Sequence, residues 1–235
     1  RSRKSLFEEK LGYLEGGSQT LLDGIKTAIE TRGGEIRLAQ PVSKVVMANG
    51  KVQGVETAAG FEAFDKVIST VPLPYVGRLM PDLPAPLLAQ FAALKNIAVV
   101  CVIVKLRKPL TGNFWLNIND PDMDIPGLVE YSNLRPLNPH VLYVPFYMPG
   151  EHPKYQEADE VFLAKVRRYC MKINPALTEA DFLDMRASRY RYAQPICEPG
   201  YLDRLPPAAL PELLTASDHV ALCLPLTPET RGIIG

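Results

Sequence analysis

Apolar positions recur at helical spacing from Ser18 to Arg32, where Leu21, Leu22, Ile25, Ala28 and Ile29 share one face and Gly33-Gly34 supplies the stop. Beyond this helix the period drops to two. Glu35 to Leu38 reads as a short strand. Val42 to Met47 and Val52 to Thr57 flank Asn49-Gly50, a pair that tolerates the positive φ of a tight hairpin turn. Lys66 to Val71 (KVISTV) reads as a buried strand closed by Pro72 and Pro74, and Pro86 to Leu94 as a helix. The pattern then turns to β-branched and aromatic runs: Ile97 to Leu106, Phe114 to Ile118, Leu128 to Tyr131 and Val141 to Tyr147. Short Pro-, Gly- and Asn-bearing turns separate them, as in an antiparallel sheet. Glu157 to Ile173 is an amphipathic helix through Val161, Phe162, Val166, Tyr169, Cys170 and Ile173, and Phe182 to Tyr192 is a further strand. The end of the chain reads as a βα fragment, with a helix at Leu210 to Ala216, a strand at Val220 to Leu224 and a helix start at Pro228. Strands in one run followed by helices on their flank give an α+β fold.

Bulk numbers narrow the classes. The chain has 235 residues, enough for one or two domains with a core that needs no covalent staple. Lys plus Arg and Asp plus Glu both total 26, so no net field draws the chain to nucleic acid or to an anionic membrane. Arg1 to Lys4 is basic, but no apolar run long enough for a signal peptide or a spanning helix follows. A start at Arg1 instead of Met hints at a processed or excised segment. Cys101, Cys170, Cys197 and Cys223 are far apart and form no CxxC pair, which favours reduced thiols and a cytoplasmic location.

Among motifs, neither GxGxxG nor GxxxxGK[ST] occurs, so the backbone cradle for phosphate is absent from this sequence. Gly16-Gly17 precedes the first helix; its N–H groups could face an anion, or the pair is a turn with Ser18 as N-cap. Asp120, Asp122 and Asp124 alternate like calcium-loop ligands, yet Ile125 and Tyr131 stand where Gly and Glu are needed, so a solvated loop is the better reading. His140, His152 and His219 lack metal spacing, and no GxSxG or HExxH anchors a hydrolase. Trp115, Tyr131, Tyr143, Phe146 and Tyr147 line the β-rich stretch, either as a small-molecule cavity or as ordinary core. Arg186, Arg189 and Arg191 alternate on one strand, as a diphosphate-binding cluster or as a solvent-facing edge.

Three blocks taken in order carry a resemblance: GYLEGGSQTLLDGI (Gly12 to Ile25), RGGEIRLAQPVSKVV (Arg32 to Val46) and DKVISTVPLP (Asp65 to Pro74). They resemble the FAD-dependent oxidoreductases related to amine oxidases, protoporphyrinogen oxidase and phytoene desaturase. The resemblance implies partial FAD-binding, Rossmann-like segments with an antiparallel or mixed substrate-binding sheet flanked by helices. It implies FAD-domain sequence at 1–76, a substrate-binding domain at 77–195, and a return towards the FAD domain at 196–235 with an atypical tail. It places the Gly16-Gly17 block beside the active site, makes Gly16, Gly17 and Val42 the cofactor-binding residues, and gives the backbone of Val42 to the adenine edge. Trp115, Tyr131 and Tyr147 become substrate-pocket residues, with no catalytic residue or metal assigned. The family's strand–GxGxxG–helix, which would precede Arg1, and its last flavin-binding segment, which would follow Pro207, have no counterpart here. Leu210 to Gly235, ending PLTPETRGIIG, instead resembles a fragment of the NAD-binding domain of D-2-hydroxyacid dehydrogenases.

The leading expectation is an FAD-dependent oxidoreductase that takes a hydride from a small organic molecule, incomplete as this chain stands. The alternatives are a non-catalytic fragment or interaction module, a flavin-dependent isomerase like the sugar-nucleotide mutases, and an NAD-dependent 2-hydroxyacid dehydrogenase fragment. Binding of nucleic acid or a membrane is not expected.

Overall fold

The computed structural model describes residues 2–5, 8–10 and 13–205. Elements run in the order β1 (Ser2–Ser5), β2 (Glu8–Lys10), α1 (Ser18–Thr31), β3 (Val42–Ala48), β4 (Lys51–Thr57), β5 (Gly60–Ala63), α2 (Val76–Leu79) and α3 (Ala85–Ala93). They continue with β6 (Asn96–Leu106), β7 (Trp115–Asn117), β8 (Gly127–Val129), β9 (His140–Pro149), α4 (Asp159–Ile173) and β10 (Phe182–Pro195). This is the α+β architecture expected, with most of the β structure antiparallel. The expected tail elements at 210–235 lie outside the described residues.

The chain divides into two compact units. One holds Arg1–Pro41, Cys101–Phe146 and Ala158–Ser188; the other holds Val42–Val100, Tyr147–Glu157 and the chain from Arg189 onward. The five-stranded sheet, in the order β10-β6-β9-β8-β7, falls mostly in the first. Val102, Val104 and Leu106 on β6 alternate inwards, as do Leu142, Val144 and Phe146 on β9, and all are shut off from water. Helix α4 covers that face with Phe162, Val166 and Cys170, spaced four residues apart, and the rings of Phe146 and Phe162 meet edge to face at 5.1 Å. Val161, expected on this face, is 40% exposed; Phe162 takes the inward position.

Two carboxylates are buried in this unit, Asp181 and, with no exposure at all, Glu130. The Glu130 carboxylate accepts from the Leu110 N–H at 2.7 Å, the Thr111 N–H at 2.8 Å and the Thr111 hydroxyl at 2.9 Å. It thereby fixes the turn between β6 and β7, because three donors replace the water the carboxylate gives up. Asp120, Asp122 and Asp124 are held by α4: Lys172 pairs with the first two at 2.6 and 3.3 Å, and Tyr169 donates to Asp124 at 2.5 Å.

In the second unit β3, β4 and β5 form a three-stranded meander. Asn49 and Gly50 adopt φ of 52° and 72°, the hairpin turn expected from their sequence. Two expected strands are absent, one from each unit. Glu35–Leu38 and Lys66–Val71 are irregular, and Ile68 and Val71 are each 41% exposed. A strand needs a neighbour for its N–H and C=O groups, and no described strand pairs with either segment.

Helix α1 keeps the expected amphipathic pattern but buries none of its residues. Its polar side is knit by Gln19–Asp23 and Lys26–Glu30 contacts at 2.7 and 2.6 Å. Its N-cap is Gly17 at φ 82°, not Ser18, which is the first helical residue. Among the described residues no helix is long and apolar enough to cross a membrane.

Candidate functional site

The sheet of the first unit has one face against α4 and a second face that is half open. Trp115 pairs with Val129, and Val129 pairs with Tyr143, so these three side chains stand in a row across β7, β8 and β9 on the same face. Tyr143 alternates with Leu142 and Val144, which places the row opposite α4. Trp115 is 53% exposed, and its indole N–H donates to Asn117 at 2.7 Å.

Tyr131, expected on a strand, lies instead in a 3-10 turn, Tyr131–Asn133, just past β8. The turn swings its ring over the row: Tyr131 meets Tyr143 edge to face at 5.8 Å and Tyr13 at 6.2 Å. The phenol oxygens of Tyr13 and Tyr131 are hydrogen-bonded. The hydrogen bond they share is the first cause that holds Tyr13 above the usual phenol range and Tyr131 below it, with the Arg135 guanidinium lowering Tyr131 further. Tyr143 is raised by burial, with Tyr131 and Cys101 adding to the effect.

Gly16 and Gly17 enter the same corner. A Cβ on Gly17 would stand 2.8 Å from Arg135 Nη1 and 3.0 Å from the Tyr13 hydroxyl, and the φ of 82° also disfavours a side chain. The structure therefore brings together four of the residues singled out from sequence: Gly17, Tyr131, Tyr143 and, along the row, Trp115. Tyr13 and Arg135 were missed. Neither sits in a periodic run, and what recruits them is the turn at Tyr131 and the close approach at Gly17.

Val42 and Tyr147 belong to the second unit. Val42 lines a cleft of about 230 Å³ together with Ser43, Val71, Tyr75, Arg78 and Leu79. Tyr147 is 46% exposed. A larger cavity of about 570 Å³ is lined by Leu94, Asn96, Gly150, Arg191 and Tyr192, among others. The alternating arginines do not form a free cluster. Arg186 pairs with Asp184; Arg189 donates to the carbonyls of Tyr155 and Glu157; Arg191 pairs with Glu151 at 2.8 Å.

Among known families, that of the flavin containing amine oxidoreductases matches residues 2–227. The chain belongs to this family. No curated protein matches it. As a flavin containing amine oxidoreductase it shares its fold with a candidate protoporphyrinogen oxidase from Exiguobacterium sp. 255-15, at 24% identity and a TM-score of 0.65, over 81% of this chain and 42% of that one. An oxidoreductase from Methanosarcina mazei follows at 22% identity and 0.60, over 76% and 43%. A reduced UDP-galactopyranose mutase follows at 15% and 0.60, over 86% and 44%. The chain thus spans under half the length of these flavoprotein-fold relatives, and the family match extends through the first part of the tail that resembles a dehydrogenase fragment.

Proposed function

We propose that this chain is the substrate-facing portion of an FAD-dependent oxidoreductase that removes a hydride from a small organic molecule. The observation that carries this reading is the sheet with two unequal faces: one sealed by α4, the other left open with Trp115, Tyr143 and Tyr131 on it. Apolar walls with a few hydroxyls suit a small-molecule surface. In the same proposal 1–76 and 196–235 belong to the flavin domain and 77–195 to the substrate domain. A cytoplasmic location, with Cys101 and Cys170 kept as thiols, belongs to it as well.

The residues present fit one end of FAD. The cleft at Val42 is smaller than the ~300 Å³ at which whole-ligand pockets begin. It suits a single flat base against Val42, Val71 and Leu79, with Arg78 at its edge. For the pyrophosphate the fit fails, since the sequence has no GxGxxG loop. When bound, FAD supplies the hydride acceptor. The part left to this chain is to orient the substrate on the Trp115–Tyr143 row and to shield it from water.

The test is a titration of the purified chain with FAD and with ADP, read by melting temperature and flavin fluorescence. The expected result is a saturable rise in melting temperature with both nucleotides, because a ligand of the folded state stabilises it, and a weaker rise in Arg78→Ala. No response to either nucleotide would favour the non-catalytic module. The isomerase alternative would need free arginines, and Arg189 and Arg191 are already committed to carbonyls and to Glu151.

A further inference from the structure

The corner formed by Tyr13, Tyr131 and Arg135 presents hydrogen-bond donors in excess of acceptors. Only one of the two phenols can donate in the Tyr13–Tyr131 hydrogen bond, which leaves the other O–H free to point elsewhere. Arg135 lies against both phenol oxygens, but a guanidinium has five N–H groups and no acceptor, so two phenols cannot use them all. Among the described residues no carboxylate pairs with it. What remains outward is a full positive charge with several N–H groups and one O–H. A protonated amine would meet donors with donors, and a neutral amide offers one uncharged acceptor oxygen beside an N–H2 group that can only donate. A carboxylate meets them with two acceptor oxygens, in the forked geometry that guanidinium favours.

The surface leading away from the corner is apolar. Tyr131 stacks edge-on against Tyr143, and Tyr143 stands in line with Val129 and Trp115. Gly17 keeps the guanidinium in place, since any Cβ there would collide with it. We propose that this corner binds the carboxylate of an apolar, planar organic acid, with Arg135 and the Tyr131 hydroxyl on the oxyanion and the body of the acid lying along Tyr143 and Trp115. The proposal rests on the reading of the open face as a substrate surface, and it narrows the substrate class to acids.

Trp115 is the only tryptophan in the chain, so its fluorescence reports on this face alone. The full-length chain would be titrated with benzoate, benzamide, inorganic phosphate and ADP, in wild type, Arg135→Gln, Arg135→Lys and Tyr131→Phe. The expected result is saturable quenching by benzoate that weakens at least tenfold for benzamide and in Arg135→Gln, is partly kept in Arg135→Lys, and falls several-fold in Tyr131→Phe. Equal response to benzoate and benzamide, or no response to benzoate, overturns the proposal. So does displacement of benzoate by phosphate or ADP at matching concentrations, which would make the corner a phosphate site of the cofactor. If Arg135→Gln does not fold, as judged by circular dichroism, the benzamide comparison in wild type and the Lys variant decide. FAD binding at the Val42 cleft is read separately: FAD binding without a benzoate response sinks this site alone, whereas benzoate binding without FAD binding sinks the flavoenzyme reading and leaves the acid site standing.

Discussion

Helix α4 and helix α1 carry the same kind of apolar stripe and meet opposite fates. On α4, Phe162, Val166 and Cys170 are sealed against β6 and β9; on α1, Leu21, Leu22 and Ile25 keep 54%, 57% and 49% of their surface in water. The irregular segment through Ile68 and Val71 behaves like α1. Periodicity states which face wants to be buried, but burial requires a partner surface. In the sheet and α4 that partner is within the chain. For α1 and the KVISTV segment the described residues supply none.

The widest gap between the two regions should appear on truncation. Phe162→Ala should cost about 3–5 kcal/mol, from lost burial plus a cavity that the sheet cannot collapse, measured by urea denaturation. Leu22→Ala on α1 should cost no more than about 0.5 kcal/mol, the range of surface changes. A Leu22 variant as damaging as the Phe162 variant would mean that α1 is packed after all.

Next in size is the buried Glu130 carboxylate. Glu130→Ala removes the acceptor of three donors and strands the Leu110 and Thr111 N–H groups, a loss of roughly 1–3 kcal/mol for each buried group left unpaired. The same denaturation experiment checks it, and a change under about 0.5 kcal/mol would show that water replaces the carboxylate.

A smaller effect separates the regions by pH. Asp120 and Asp184 are held below their ordinary value of 3.8, chiefly by hydrogen bonds from Lys172 and Lys105. Asp181 is likewise lowered, chiefly by the Thr178 N–H. For a carboxylate depressed in the folded state, the stabilisation is complete above its unfolded value and disappears as pH falls through the folded one. Stability should therefore fall below about pH 4, with hydrogen exchange rising first around α4 and β10. Loss beginning instead near pH 6 would point to a histidine and contradict this assignment. The smallest effect is expected from Leu21→Glu with Ile25→Glu on α1: little change in melting temperature but less self-association by light scattering.

How much of this was legible follows the same division. The strands from β6 to β10 and helix α4 read correctly because their alternation is satisfied inside the chain. KVISTV read as a buried strand because its composition is that of one, but composition carries no information on whether a neighbour is present. The Val42 strand and the Asn49-Gly50 turn read directly from local backbone preference. The corner at Tyr13 and Arg135 did not, since it is assembled when Tyr13 meets Tyr131, 118 positions away, at a turn. Sequence points to Gly17 as the entry to a helix, whereas its structural role is the space it leaves beside Arg135.

The most direct test of the account is hydrogen–deuterium exchange of the whole chain with and without FAD. Slow exchange is expected in β6, β9 and α4 under both conditions, with FAD slowing exchange selectively at Val42–Val46 and at Val71–Leu79. Unchanged exchange at Val42, or slowing confined to α4 and the sheet it covers, would contradict it.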